Sequence, residues 1–176
     1  MTDPAAPVPE TAGQAPADPA PAGPAPAGPA PAGPDASRVL LAEVVSTALS
    51  VERCSSLVAS RASGAVVTFE GVVRDHDDGR GVTALHYEQH PSAGDVVQQV
   101  AEQIAAEHPE VAVAVQHRVG DLEIGDVALA CAVASAHRAE AFAACSALVD
   151  LVKQRLPIWK RQEFTDGSDE WVASLG

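Results

Sequence analysis

Lys153 and Lys160 are the only lysines in the sequence, seven residues apart in the stretch LVKQRLPIWKRQ (151–162). Every other fixed cation is an arginine. An arginine stays charged at any ordinary pH. A lysine amine can lose its proton when partly buried or set among other cations, so it can act as acid, base or nucleophile. Two lysines in an otherwise arginine-committed chain point to positions that need an amine. Plainer roles compete. Lys153 falls in the last turn of a predicted helix, where a cation is favourable anyway. Lys160, beside Trp159, can lay its stem along apolar surface with its ammonium in water.

A second cationic feature is SAHRAEAF (135–142). A strand ends and a helix begins here, so His137 and Arg138 fall at a helix N-terminus. Free backbone N–H groups and the positive end of the macrodipole meet an imidazole and a guanidinium there, which suits an anion. The alternative is that Arg138 pairs with Glu140 or another surface acid, with His137 as a satisfied turn residue. Arg74 closes the stretch GAVVTFEGVVR (64–74), and strand ends commonly carry ligand-facing residues; an ordinary surface arginine is the alternative. Phe69 in the same stretch reads as core. The histidines of DHDD and HYEQH invite a metal site, but no H-E-x-x-H, paired cysteines or tight His/carboxylate spacing supports one. Phosphate-binding glycine loops and the G-x-S-x-G nucleophile motif are missing too.

These residues need elements to hold them. Residues 38–45 lean towards a strand, and Ser50 can cap a short helix. GAVVTFEGVVR and VTALHYE (82–88) read as two strands of one hairpin joined by the mobile turn DHDDGRG. Gly71 marks a bulge or a close backbone approach. Val96, Val97, Val100 and Ile104 have helical spacing within 92–107. Residues 111–120 and 126–135 are two further strands, joined by DLEIGD. Phe142, Cys145, Leu148, Val149 and Val152 form one stripe of a second long helix. Pro157 should end that helix near Arg155. PIWKRQEF is the last strand, and TDGSDEW a turn before Trp171. The order β-α-β-β-α-β-β-α-β fits an α+β fold with a mainly antiparallel sheet.

Composition sets the boundaries. Residues 1–36 hold eleven of the fourteen prolines, with tandem APAGP, and read as a disordered tail. They carry no secretory pattern. Residues 37–176 form the expected folded domain. The formal charge is −13, and four tail acids (Asp3, Glu10, Asp18 and Asp35) leave −9 on that domain. An acidic surface argues against nucleic acid and anionic membrane as partners, while leaving room for a local basic pocket. No apolar stretch approaches the ~18 residues of a membrane span. Cys54, Cys131 and Cys145 read as buried free thiols, fitting a reducing cytoplasm.

In order and spacing, GAVVTFEGVVRDHDDGRGVTALHYE, HRVGDLEIGD, SAHRAEAF, DLVKQRLPIWKRQ and DGSDEWV resemble the large, catalytic subunit family of molybdopterin synthase. The resemblance runs from about Val39 to Val172. It implies an α/β-hammerhead type of α+β fold. It also implies a central homodimer flanked by two small ubiquitin-like sulfur carriers, as a heterotetramer. The carrier's Gly-Gly tail would end in a thiocarboxylate and thread into a pocket of this subunit. Sulfur would pass to cyclic pyranopterin monophosphate to form the molybdopterin dithiolene, a sulfurtransferase reaction needing no metal or cofactor of the protein's own.

By the same resemblance Lys153 is the catalytic lysine that meets the thiocarboxylate, and Lys160 is the second pocket lysine. His137, Arg138 and Arg74 bind anionic substrate. Val72, Val73, Arg161 and Gln162 fall in pocket-lining segments, with Phe69 nearby. Gln162, His90 and Ala93 depart from the family pattern. The rival readings are a non-catalytic module holding a ubiquitin-like tail or an anionic metabolite, and an enzyme acting on some other phosphorylated pterin.

Overall fold

The computed structural model describes residues 38–173. The expected tail at 1–36 lies outside the described residues. The chain runs β1 (Val39–Val45), α1 (Val51–Val58), β2 (Ala65–Val72), β3 (His76–Asp77), β4 (Arg80–Gln89) and α2 (Ala93–Glu107). It continues as β5 (Ala112–Arg118), β6 (Gly120–Leu122), β7 (Val127–Ser135), α3 (Arg138–Arg155), β8 (Ile158–Phe164) and β9 (Asp169–Ala173). One sheet has the order β1-β5-β7-β2; the other has the order β3-β4-β8-β9, with β6 also on β4. Among the described residues only the β1–β5 pairing is parallel, so the expected α+β class holds.

Side-chain size along β5 and β7 decides which helix lies on which face. Successive residues of a strand point to opposite faces. Val113, Val115, Cys131 and Val133 meet Val97, Val100 and Ile104 of α2 and Leu148 and Val152 of α3. The intervening Ala114, Ala130, Ala132 and Ala134 meet Cys54 and Val58 of α1. Small alanines let the short helix come close. Its start is capped as expected, with the Ser50 hydroxyl accepting from the Arg53 N–H at 3.1 Å.

Four expectations need correction. The stretches 64–74 and 82–88 do not form one hairpin. β2 pairs with β7 from Ala65↔Ser135 to Val72↔Val127, while β4 pairs with β8 and β6. The half-buried alternation of β2 suits a sheet edge, and the chain then crosses to the other sheet. DHDDGRG is instead its own tight hairpin, β3–β4, with positive φ at Asp78 (47°) and Gly79 (79°). The linker DLEIGD contributes β6, and TDGSDEW contains the turn and start of β9, so β8 and β9 form a hairpin. Phe142 is 62 % exposed and does not belong to the buried stripe of α3. That stripe is Ala141, Ala144, Cys145, Leu148 and Val152: alanines, not the aromatic, bring the helix onto the sheet.

The three cysteines are buried and free. The Sγ atoms of Cys131 and Cys145 stand 4.0 Å apart between β7 and α3. Their mutual hydrogen bond and burial hold the Cys131 thiol well above its ordinary value.

Gly64 fixes where β2 meets the start of α3. Its N–H donates to the Ser135 carbonyl at 3.0 Å. A Cβ there would stand 2.3 Å from the Ala136 backbone oxygen. Gly64→Ala should therefore destabilise the fold by about 1–3 kcal/mol, read as a lower denaturant midpoint. An unchanged midpoint would show that this junction is not tight.

Candidate functional site

Strand β2 does not run straight to its end. The register with β7 shifts between Gly71 and Val72, the bulge the glycine led one to expect. A Cβ on Gly71 would touch Phe69 Cε1 and Leu129 Cβ, each at 3.4 Å, so the backbone passes close to both side chains. After the bulge Val72 is exposed, Val73 is buried, and Val73 bonds to the loop before β7: its N–H donates to Asp126 O at 2.9 Å, and its own O accepts from the Gly125 N–H at 2.9 Å. Arg74 thus leaves the first sheet facing the second.

Between them lies a cavity of about 600 Å³. Phe69, Val72, Val73 and Arg74 line it from β2 and its extension, Lys153 from the last turn of α3, and Lys160 and Gln162 from β8. Strand alternation explains the last pair. Ile158, Gln162 and Phe164 are buried and Lys160 is half-buried on the inner face, while Trp159 and Glu163 are exposed on the outer one. Arg161 therefore points away from this cavity. It bonds Asp169 Oδ2 through Nε at 3.1 Å and borders a separate opening with His86 and Trp171.

The structure thus gathers six of the nine candidate residues and leaves Arg161, His137 and Arg138 apart. His137 is the N-cap of α3 and Arg138 its first residue, as expected from the sequence, and both are exposed. Glu140 does not pair with Arg138; its carboxylate takes His108 Nδ1 at 2.6 Å, tying α3 to the end of α2. Lys153 lies fifteen residues along α3 from Arg138. At 1.5 Å per residue that is about 22 Å, too far for both to hold one small ligand within a single chain.

Among the lining residues unmarked in the sequence are Asp77, Tyr87 and His117. Asp77, from β3, accepts from Lys160 Nζ at 3.1 Å and from Arg74 Nη2 at 3.2 Å. Hydrogen bonds from Gln162 and Lys160 hold its carboxyl below the usual carboxylate value. Tyr87 and His117 meet edge to face, with ring centroids 5.2 Å apart. His117 Nδ1 lies 2.8 Å from Arg118 O, so it carries the proton and Nε2 is left as an acceptor. Tyr87 could have been found from the period of two that puts it with Leu85 on one face of β4; nothing local marks His117 or Asp77.

The histidines that invited a metal site take separate partners. His76 meets Asp75, His86 meets Asp121 and His90 meets Ser92. Ala93 is buried at the start of α2. No helix among the described residues is long and apolar enough to cross a membrane.

Comparison with known proteins gives a consistent picture. Residues 44–155 match the family model described as MoaE protein. A molybdopterin synthase catalytic subunit of Nostoc sp. is 40 % identical over 127 residues, covering 71 % of this chain and 77 % of that one. Molybdopterin synthase catalytic subunit 1 of Mycobacterium tuberculosis is 41 % identical over 127 residues, covering 70 % and 84 %. The crystal structure of molybdopterin synthase from Staphylococcus aureus superposes with a TM-score of 0.71 at 31 % identity, covering 75 % of this chain and 96 % of that one. A complex of subunits 1 and 2 of molybdopterin-converting factor from Helicobacter pylori shares the fold, with a TM-score of 0.56 at 17 % identity, covering 78 % and 90 %.

Burial pushes His117 down to about 4 from 6.5, so the folded chain keeps it neutral. Between those two values only the unfolded chain takes up this proton, and stability should fall as pH drops through the window. The loss should level off near pH 4 at about 3 kcal/mol. His117→Gln should remove that part of the slope in urea titrations from pH 7 to 4, whatever its own baseline. An unchanged slope would mean that the folded state protonates His117 freely.

Proposed function

This chain belongs to the MoaE family of molybdopterin synthase catalytic subunits, and we propose that it transfers sulfur within that synthase. The donor is the C-terminal thiocarboxylate of a small ubiquitin-like carrier. The acceptor is cyclic pyranopterin monophosphate, and the product carries the molybdopterin dithiolene. The observation that supports this best is the convergence of Arg74, Lys153 and Lys160, from three separate elements, on one cavity. The rest of the chain is strongly acidic. Two anions have to meet at the reaction: a cyclic phosphate and a thiocarboxylate. Fixed cations in a partly enclosed space suit both.

In this reading the carrier's extended Gly-Gly tail enters the cavity and Lys153 meets its thiocarboxylate. The sulfur stays with the substrate, and water supplies the oxygen that leaves the carrier as a carboxylate. Two carriers deliver two sulfurs. Lys153 orients the thiocarboxylate and moves a proton; Lys160 and Arg74 hold the phosphate and the charge that develops as its ring opens. His137 and Arg138 stand too far along α3 to join this set from the same chain. They bind substrate only if a second copy presents them, as the proposed homodimer within a heterotetramer permits. The paired subunits in the Helicobacter pylori complex are consistent with a small-subunit partner.

The test is a reconstitution. The purified chain is mixed with thiocarboxylated carrier and the cyclic pterin phosphate, and dithiolene product is followed. Product is expected. Carrier binding without product would favour a non-catalytic module, and absence of carrier binding would remove the proposed role. In the same assay Lys153→Arg keeps the charge and loses the amine, so turnover should fall by about 100-fold or more. Near wild-type turnover would leave Lys153 with a purely electrostatic role.

A further inference from the structure

Two of the three cavity cations already have an anion. The Asp77 carboxylate spans them, Oδ1 to Arg74 Nη2 at 3.2 Å and Oδ2 to Lys160 Nζ at 3.1 Å. Arg74 follows β2 and Lys160 lies on β8, so this single side chain bridges the two sheets across the cavity. Two oxygens of a phosphate would bridge the same pair in the same way. The Lys153 side chain, by contrast, makes no ion pair or hydrogen bond among the described residues.

The hairpin that carries Asp77 is fastened down. Asp77 stands opposite Arg80 in the β3–β4 ladder. The Arg80 guanidinium lies 3.4 Å from the centre of the Phe164 ring. It also bonds Glu170 at 3.2 Å and Ser168 at 2.6 Å, on the β8–β9 hairpin. The Val82 N–H donates to Asp75 O at 2.8 Å, closing the hairpin's other side. The hairpin is thereby held in place with Asp77 lining the cavity, and the Asp77 side chain remains about one quarter exposed (27 %).

We propose that Asp77 is a resident counter-anion: it fills the seat between Arg74 and Lys160 and must yield that seat to the ligand's phosphate. The proposal rests on the anion-site reading above and gives it a division of labour. The Arg74–Lys160 seat is guarded and admits a group that is a better partner for two cations than a tethered carboxylate. The open Lys153 is left for the carrier's singly charged tail. Asp77 thus sets specificity by competition. It keeps adventitious carboxylates out of the phosphate seat and holds both cations in a ligand-ready arrangement.

The test measures binding of inorganic phosphate and of acetate to the full chain by calorimetry, for wild type, Asp77→Asn and Asp77→Asn/Lys160→Met. Asp77→Ser serves as a second variant, with circular dichroism to verify that each is folded. Asn keeps the shape and an acceptor oxygen but not the charge. Asp77→Asn should bind phosphate about fivefold or more tightly than wild type and should bind acetate measurably, which wild type should not. The double variant should lose the gain. Equal or weaker phosphate binding by folded Asp77→Asn and Asp77→Ser would overturn the proposal and make Asp77 a clamp that the ligand needs. A gain that persists without Lys160 would also overturn it, by placing the ligand elsewhere. Failure of every form to bind phosphate would overturn the anion-site reading itself, and this proposal with it.

Discussion

The seating of α3 on the four-stranded sheet governs where the site can be. Ala141, Ala144, Cys145, Leu148 and Val152 lie against that sheet and α2, and the helix stops at Leu156 because Pro157 cannot continue it. Its last turn then lies beside the end of β2, and Lys153 faces the space between the sheets. The turn at Pro157 also sends β8 across to the second sheet in a register that puts Tyr87 opposite Lys160. One buried helix face and one proline therefore place both lysines.

The second determinant is the bulge at Gly71/Val72. Without it, β2 would stay in the ladder with β7 to its end, and alternation would send Arg74 elsewhere. With it, Val73 turns inward and Arg74 reaches the β3 hairpin. The cavity is therefore a junction product: each cation belongs to a different element, and their meeting depends on how the two sheets are joined. The electrostatic contrast follows from the same junction. The chain carries an excess of acids, yet Asp77 is the carboxylate that directly pairs with the cavity's cations, bridging Arg74 and Lys160.

Much of this was legible from sequence, for physical reasons. The stretches 111–120 and 126–135 read as two strands, as β5 and β7 are. Pro157 showed a helix end, Gly71 a bulge, and SAHRAEAF a helix start carrying two cationic side chains. The motif resemblance pointed to the family. Pairing was another matter. β2 and β4 are adjacent in sequence and each reads as a strand, so a hairpin was the local expectation; the choice of β7 as partner is made by the buried core. Short elements such as β3 and β6 carry too few residues for any period to show. Phe142 misled because an aromatic at helical spacing outweighs two alanines in a hydrophobic pattern, while the sheet needs the alanines for close approach. Asp77 was invisible as a site residue because a carboxylate in an Asp/Gly-rich turn has the composition of any surface turn. Only the sheet junction sets it between Arg74 and Lys160.

In the proposed function, the space between the sheets is an anion site built by Arg74, Lys153 and Lys160. A crystal structure of the chain with selenate, located by its anomalous scattering, tests this most directly. A selenate within hydrogen-bonding reach of these side chains in the cavity is the expected result. A cavity without selenate, with selenate bound only at His137 and Arg138 of chains that do not share it, would contradict that assignment.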